Sequence, residues 1–344
     1  MPTEAETEYA VGEADSEPLD WRSGATDIEV TRADKLEEQL RRSVYEPAAI
    51  AWSDTRTRVG LLLFSVYLAM AAVDILGLYR DASTSQAGRL LAPFENTQYP
   101  LGTTNSGVDL LALMIDSTTF ILLMVIAGGV WATTIAVIVG TVSGYKGGTV
   151  DAVITSVTDF AMAIPGLPLI IVLAIAISPE NPLVLGAVLT VNYWAGLGRS
   201  IRSQVLSIRE AEYVEASRTM GTGTLRIIRK DILPNIMPFV LVNFVLAARY
   251  TIFASVGLYF IGVLPYSGQN WGVTLNNAYS QGALFNPAAT HWLIVPCVAI
   301  IGLSFSLILM SQGMDRIFNP RVRTRLSGES ESTEDDAPAT TGMM

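Results

Sequence analysis

The chain has one cysteine (Cys297), one histidine (His291) and three lysines (Lys35, Lys146 and Lys230). One cysteine excludes a disulfide framework, and one cysteine with one histidine excludes a Cys/His metal cluster. Charge is sparse. Only 16% of the 344 residues are charged, where a soluble domain carries about a quarter. The stretch 264–290 holds no charged residue at all. No basic segment precedes an apolar run at the start, so a cleavable signal peptide is not expected, and the first apolar run would itself direct insertion.

Apolar sequence fills the gap. Half the residues are apolar and mean hydropathy is +0.40. Acidic residues crowd the two ends, in "MPTEAETEYAVGEADSEP" and "SGESESTEDDAP". Such tails bury too little apolar surface to offset their ordering entropy, so disorder is expected there. The net charge of −10 with so little lysine suits a high-salt cytoplasm, where charge is well screened. A halophilic, archaeal host is the expectation.

A membrane-spanning helix needs about 20 mostly apolar residues. Six segments qualify: 59–79, about 119–143, 152–177, 182 to between 199 and 206, 236–263 and 292–314. The fourth is the poorest, because "VNYWAGLGRS" is polar and glycine-rich. The expected fold is therefore all-α and polytopic, with six transmembrane helices. An acidic tail occupies 1–58, the helical domain 59–326, and a second acidic tail 327–344.

Arginine and lysine beside the spans set orientation. Arg41, Arg42, Arg56 and Arg58 precede the first span. Arg199, Arg202, Arg209, Arg218, Arg226, Arg229 and Lys230 lie between the fourth and fifth. Arg316, Arg321, Arg323 and Arg325 follow the sixth, whereas the alternate loops hold only Arg80 and Arg89. Both termini and the segment from about 207 to 235 are expected in the cytoplasm.

That segment contains "EYVEASRTMGTGTLRIIRKDILPN". Tyr213, Ala216 and Met220 share one helical face. Glu215 and Arg218 are spaced to pair. Gly221 would end the helix at a positive φ, and Leu225, Ile228 and Ile232 continue at helical spacing towards Pro234. A membrane-parallel helix with a rigid turn can pass force from a soluble partner, and an amphipathic loop resting on headgroups would read the same way.

The stretch resembles the EAA loop of ABC-importer permeases. Glu215, Ala216, Gly221, Ile232, Leu233 and Pro234 match, with Ser217 in the third small position and Arg218 following it. "PLGTTNSGVDLL", "GYKGGTVDAVITSVTDFAMAIPGLPL", "NWGVTLNNA" and "MDRIFNPRVR" resemble further segments of the dipeptide, oligopeptide and nickel importer branch, in the family's order. Departures are Thr104 for an aspartate, Val108 for an arginine and Ser255 for a glutamate. The resemblance implies the type I importer permease fold and half of a translocation pathway in the cell membrane. The implied partners are a second homologous permease, two ABC ATPases on the coupling loop, an extracellular substrate-binding protein and the lipid bilayer. Peptides are the implied cargo, with nickel or oligosaccharides as alternatives. No Gly-x-x-x-x-Gly-Lys-Ser/Thr occurs, and "GTVSGYKGG" has the wrong spacing, so ATP and Mg would be used by the partner ATPases. The chain is expected to be no enzyme, to bind no cofactor or metal, and to have no nucleic-acid partner.

Arg249 lies about a dozen residues into the fifth span, roughly 18 Å deep at 1.5 Å per residue. An intramembrane arginine faces a bundle interior or an aqueous cavity, so it would line the path and meet a peptide carboxylate, or pair with another subunit. Asn192 and Asn243 are the other candidates for the pathway. Asp159 reads as a structural partner for a loop donor, and Pro165 with Pro168 should kink the third span. Gly140 and Gly144 read as a close helix contact, His291 as interfacial, and Trp271 and Trp292 as interface anchors. An ion-driven secondary transporter would show repeated halves with broken helices, and no such repeat is evident. A non-transport scaffold is the remaining class.

Orientation is directly testable by single-site labelling in whole cells. Labels at Asp15, Lys146, Arg226 and Glu334 should react only from the cytoplasm, and labels at Asn96, Glu180 and Asn277 only from outside. Exterior reactivity at Arg226 would remove the coupling reading.

Overall fold

A computed structural model describes residues 52, 54–82, 88–264 and 270–317. The acidic tails lie outside these residues apart from a few positions next to the first helix. Among the described residues regular structure is helical, with a single isolated bridge between Thr103 and Asp109.

Helix α1 spans Thr55–Ile75 and α2 spans Leu110–Lys146. Each starts at an aspartate whose carboxylate takes an otherwise unpaired backbone N–H. Asp54 accepts from Thr57 at 3.1 Å and Asp109 from Leu111 at 2.9 Å. At 37 residues α2 is about 55 Å long, more than the expected 119–143, and the other helices are arranged around it. Helices α3 (Gly148–Ala163) and α4 (Gly166–Ile177) meet at an angle of 83°. Helices α5 (Pro182–Leu189) and α6 (Tyr193–Ile208) follow. Then come α7 (Glu212–Thr219), the single turn α8 (Thr224–Ile227), a π-helical segment (Ile228–Ile232) and α9 (Leu233–Phe260). Finally α10 (Trp271–Ser280) packs between α9 and α11 (Thr290–Ile317).

Four of these helices are long and apolar enough to cross a membrane, and the bent α3–α4 pair makes up to five. The expected third span is thus a broken helix rather than a kinked one. Ile164 and Pro165 are both extended, and Pro165 precedes the first residue of α4. The expected fourth span is two helices. Thr190 ends α5 by donating its hydroxyl to the Gly186 carbonyl at 2.9 Å and to Gly128 of α2 at 3.2 Å.

Lipid tails are as apolar as leucine, so helices in a membrane associate through close packing of small residues. A Cβ on Gly140 would lie 2.7 Å from the Gly198 carbonyl oxygen, and one on Gly144 would lie 2.9 Å from Val205 Cβ. This is the expected contact of that pair, with α6 as its partner. Gly186 of α5 is closer still, since a Cβ there would sit 2.2 Å from the Met124 carbonyl oxygen.

The end of the bundle around the α2 N-terminus is closed by loop 88–109. Buried Asp109 accepts from the Tyr79 hydroxyl at 2.9 Å and lies 3.9 Å from Arg80. Thr104 is buried and its Oγ accepts from the Ser106 and Val108 N–H groups. It thereby fills the turn-capping role open to an aspartate at that position. His291 packs against this loop, with Nε2 3.0 Å from the Thr103 carbonyl oxygen. The tryptophans expected as interface anchors are core residues. Trp271 is fully buried with its ring 5.9 Å from that of Tyr67, and Trp292 is buried beside Leu110.

The packing argument has a sign test. Alanine should be favoured over glycine in a helix by about 1 kcal/mol. Gly257→Ala, where a Cβ meets nothing within 4 Å, should hold or raise the thermal midpoint of the detergent-solubilised protein. Gly186→Ala should lower it, by an overpacking cost of roughly 1–3 kcal/mol.

Candidate functional site

Two polar regions stand out. The first is built on the turn between α7 and α8. Helix α7 ends in a Schellman motif. Gly221 has φ +75°, its N–H donates to the Arg218 carbonyl, and the Thr222 N–H donates to that of Ser217. The positive φ expected of Gly221 is present.

Helix α7 is anchored through Val214, which lies outside the face shared by Tyr213, Ala216 and Met220. Val214 is fully buried, whereas Tyr213, Ala216 and Met220 are exposed, Met220 at 76%. Val214 packs with Ile227, Ile232 and Ile236 and with Leu197, Ile201 and Val205 of α6. Of the helically spaced Leu225, Ile228 and Ile232, only Ile232 is buried, and Leu225 is exposed. The reason is the π segment. Its extra residue per turn brings Ile227 and Ile232 onto one side, a spacing of five that an α-helix would not align. Ile232 is fully buried, Leu233 half-buried, and Pro234 exposed at the start of α9.

Glu215 and Arg218 do not form the expected pair. The Arg218 guanidinium lies 5.6 Å from the Tyr145 ring centroid instead. Glu215 and Arg218 line an open cavity of about 670 Å³ with Tyr145, Lys146, Arg209 and Thr222. Arg209 donates to the Gly144 carbonyl at 3.0 Å, which fixes the loop to the end of α2. Asn235 donates to the Tyr213 hydroxyl at 3.2 Å and to the Asp231 carbonyl at 2.6 Å. Helix α7 is thus tied directly to the base of α9.

The second region lies at the helix breaks. The Asn192 side chain donates to the Ile164 carbonyl at 3.2 Å, joining the α5–α6 break to the α3–α4 break. A cavity of about 430 Å³ opens there, lined by Met162, Asn192, Tyr193, Ser200 and Asn243 among others. Two of the three expected pathway residues line it. The third, Arg249, lies outside the lining, and the ring centroid of its chain neighbour Tyr250 is 5.0 Å from that of Tyr193.

Between the regions, α3 and α6 are joined by ion pairs that sequence reasoning missed. Arg202 Nε and Nη2 each donate to one carboxylate oxygen of Asp151 at 2.5 Å. Arg199 pairs with Asp159, so the donor to Asp159 comes from a helix rather than a loop. Opposite charges three to four residues apart within a helix were considered from sequence, but Asp151 and Arg202 are too far apart in the chain for that rule to reach. Among the described residues no group of three or more His, Cys, Asp or Glu side chains is placed to hold a metal ion.

This arrangement of apolar helices around a long central one, with an exposed helix–turn–helix at one end, is that of a multi-pass membrane protein. Residues 132–324 match the family described as binding-protein-dependent transport system inner membrane component, and the chain belongs to that family. It is 34% identical over 194 residues to the dipeptide transport system permease protein DppC of Bacillus subtilis, spanning 55% of this chain and 58% of that relative. It is 25% identical over 312 residues to the oligopeptide transport system permease protein OppC of the same organism, covering 83% of this chain and 99% of the relative. A putative peptide permease protein of Brucella suis is 30% identical over 223 residues, covering 64% and 72%.

The α3–α6 pair can be tested by charge exchange. Asp151→Lys or Arg202→Glu alone should lower the thermal midpoint in detergent, each removing charged hydrogen bonds of about 1.5–3 kcal/mol. The double variant should recover most of the loss. Full recovery is not expected, because a cation in the first turn of α3 opposes the helix dipole by about 0.3–1 kcal/mol.

Proposed function

We propose that the chain is a permease subunit of an ATP-driven peptide importer, forming one half of the pathway and coupling it to cytoplasmic ATPases. The observation that carries this reading is helix α7, whose Ala216 and Met220 are open while Val214 packs in the cluster shared with α6 and α9 and the Tyr213 hydroxyl accepts from Asn235 of α9. An exposed apolar face framed by Glu212, Glu215 and Arg218 suits a protein groove. The family and the peptide permeases among its relatives support the same role. In this reading six spans cross the membrane with both termini inside, α3–α4 being one broken span and α5–α6 another. A second homologous permease completes the pathway, two ABC ATPases bind ATP and Mg, and an extracellular binding protein delivers cargo. Glu215, Ala216, Ser217, Arg218 and Gly221 form the docking element, and Ile232, Leu233 and Pro234 pass its movement into α9. Nickel and oligosaccharides are the alternative cargoes.

The coupling role makes a specific prediction for the assembled complex in vesicles. A Cβ at position 221 meets nothing within 4 Å, so Gly221→Val acts through backbone strain alone, about 1–3 kcal/mol for a residue held at positive φ. Glu215→Lys reverses a charge on the docking face, where like charges cost several kcal/mol. Both variants should insert and pair with the second permease, yet lose uptake and substrate-stimulated ATP hydrolysis. Glu331→Ala with Glu334→Ala is the matched control. Uptake by either variant at the control level would sink the coupling role and move a non-transport scaffold ahead.

A further inference from the structure

Helices α10 and α11 are joined by a short turn, 281–289, whose two feet are buried and whose tip is bare. At the first foot α10 ends in a Schellman motif. Gly282 has φ +76°, its N–H donates to the Tyr279 carbonyl at 3.0 Å, and the Ala283 N–H donates to that of Ala278 at 3.0 Å. At the second foot Asn286 caps the 3-10 turn Pro287–Ala289. Its side chain accepts from the Ala288 N–H at 3.1 Å and its carbonyl from the Ala289 N–H at 2.9 Å. Ala283 and Ala289 are buried in one cluster with Leu110 and Trp292. Between these fixed feet Leu284 is 60% exposed and Phe285 86%. Tyr279, in the last turn of α10, is also exposed, and its ring centroid lies 5.7 Å from that of Phe260 at the end of α9.

Scattered apolar side chains on a surface are ordinary, but these stand immediately before a membrane span. The apolar stretch Pro287–Gly313 has 27 residues, about 40 Å of helix, against a hydrocarbon core of about 30 Å. Its ends therefore reach headgroup level. Thr290, Ile294, Val298, Ile301 and Phe305 form one exposed stripe of α11 at helical spacing. Residues 284–288 are exposed as well, so the turn adjoins that lipid-facing stripe. Charge separates a lipid surface from a soluble partner. Positions 250–314 hold no Asp, Glu, Lys or Arg, whereas Arg80, Asp81, Arg89, Glu95 and Glu180 mark the other loops expected outside. A protein interface keeps a polar rim, and a lipid contact excludes charge. Trp271 and Trp292, expected as interface anchors, are buried in the core. We propose that the α10–α11 turn is the lipid anchor of this end of the chain, with Leu284 and Phe285 seated at the boundary between headgroups and acyl chains. In the expected orientation this is the outer leaflet. Because both feet are fixed, the anchor sets the depth of α10 and α11 together. The inference needs the multi-pass placement of the chain and not its transport role.

The test uses the full-length chain in vesicles of phosphatidylcholine and phosphatidylglycerol. Cys297→Ser removes the single cysteine. In that background Leu284→Cys, Phe285→Cys, Thr97→Cys and Val298→Cys each receive a nitroxide label. Thr97, exposed in loop 88–109, is the aqueous reference, and Val298, exposed on α11, is the lipid reference. Power saturation reads collisions with oxygen, which concentrates in lipid, and with a neutral water-soluble nickel chelate. The oxygen-to-chelate ratio should be high at Val298 and low at Thr97. At Leu284 and Phe285 it should lie above the midpoint of these references. A ratio below the midpoint at both positions would overturn the proposal. So would shielding from both reagents in vesicles of the chain alone, which marks contact with a second copy. Lipid-like labels that become shielded from both reagents only when the binding protein and second permease are added would likewise overturn it, because the turn would then be a protein-docking surface.

Discussion

The hydrogen bond from Asn192 to the Ile164 carbonyl is the contact on which the centre of the bundle depends. A backbone group left unsatisfied at membrane depth costs several kcal/mol, so irregular backbone is tolerated there only where it is buried in protein or lines a wet cavity. The chain breaks twice near one place, at Ile164–Pro165 and at Thr190–Asn192. One side chain from the second break satisfies a carbonyl freed by the first. Remove it, and the Ile164 carbonyl loses that donor and the two breaks lose their link. Keep it, and they become the rim of a polar cavity.

The ion pairs extend that connection. Asp151–Arg202 and Asp159–Arg199 hold α3 along α6 on the side leading to the exposed turn. Glycines 140 and 144 let α6 lie directly on α2. Helix α6 therefore has a tight apolar contact on one side and charged contacts on another. It is better placed to move as a body with α3 than to slide past it, because sliding would separate two pairs at once.

Much of this was legible in the sequence, and the rest failed for identifiable reasons. Apolar length located α1, α2, α9 and α11, and the turn at Gly221 followed from the need for a positive φ at a helix end. The proline pair marked the right place in the third span, but proline statistics do not distinguish a kink from an 83° break. That depended on Asn192, a residue whose partner lies 28 positions earlier. Helical spacing alone did not give the buried side of the loop, because it assumes an α-helix and the π segment at Ile228–Ile232 shifts the register by one residue. Trp271 and Trp292 are placed by tertiary packing of α10 and loop 88–109, which no local pattern encodes. Arg249 and Asn243 stand out in the sequence because a polar residue inside an apolar run is costly wherever it ends up.

Both walls of the cavity grow out of the same joint. Asn192 precedes α6 and Tyr193 and Ser200 stand on it, and α6 leads into α7, whereas Asn243 stands on α9, which begins at the π segment. Val214, Ile227 and Ile232 pack the joint against both helices, and Tyr213 holds the first turn of α9 through Asn235. A force applied to the open face of α7 cannot turn one wall without loading the other. The rigid Gly221 turn matters for the same reason. A flexible connection would absorb the displacement within the loop, whereas a capped helix delivers it to α6 and α9 together. The spacing between Asn192 of one wall and Asn243 of the other is therefore the quantity that movement of the loop would change.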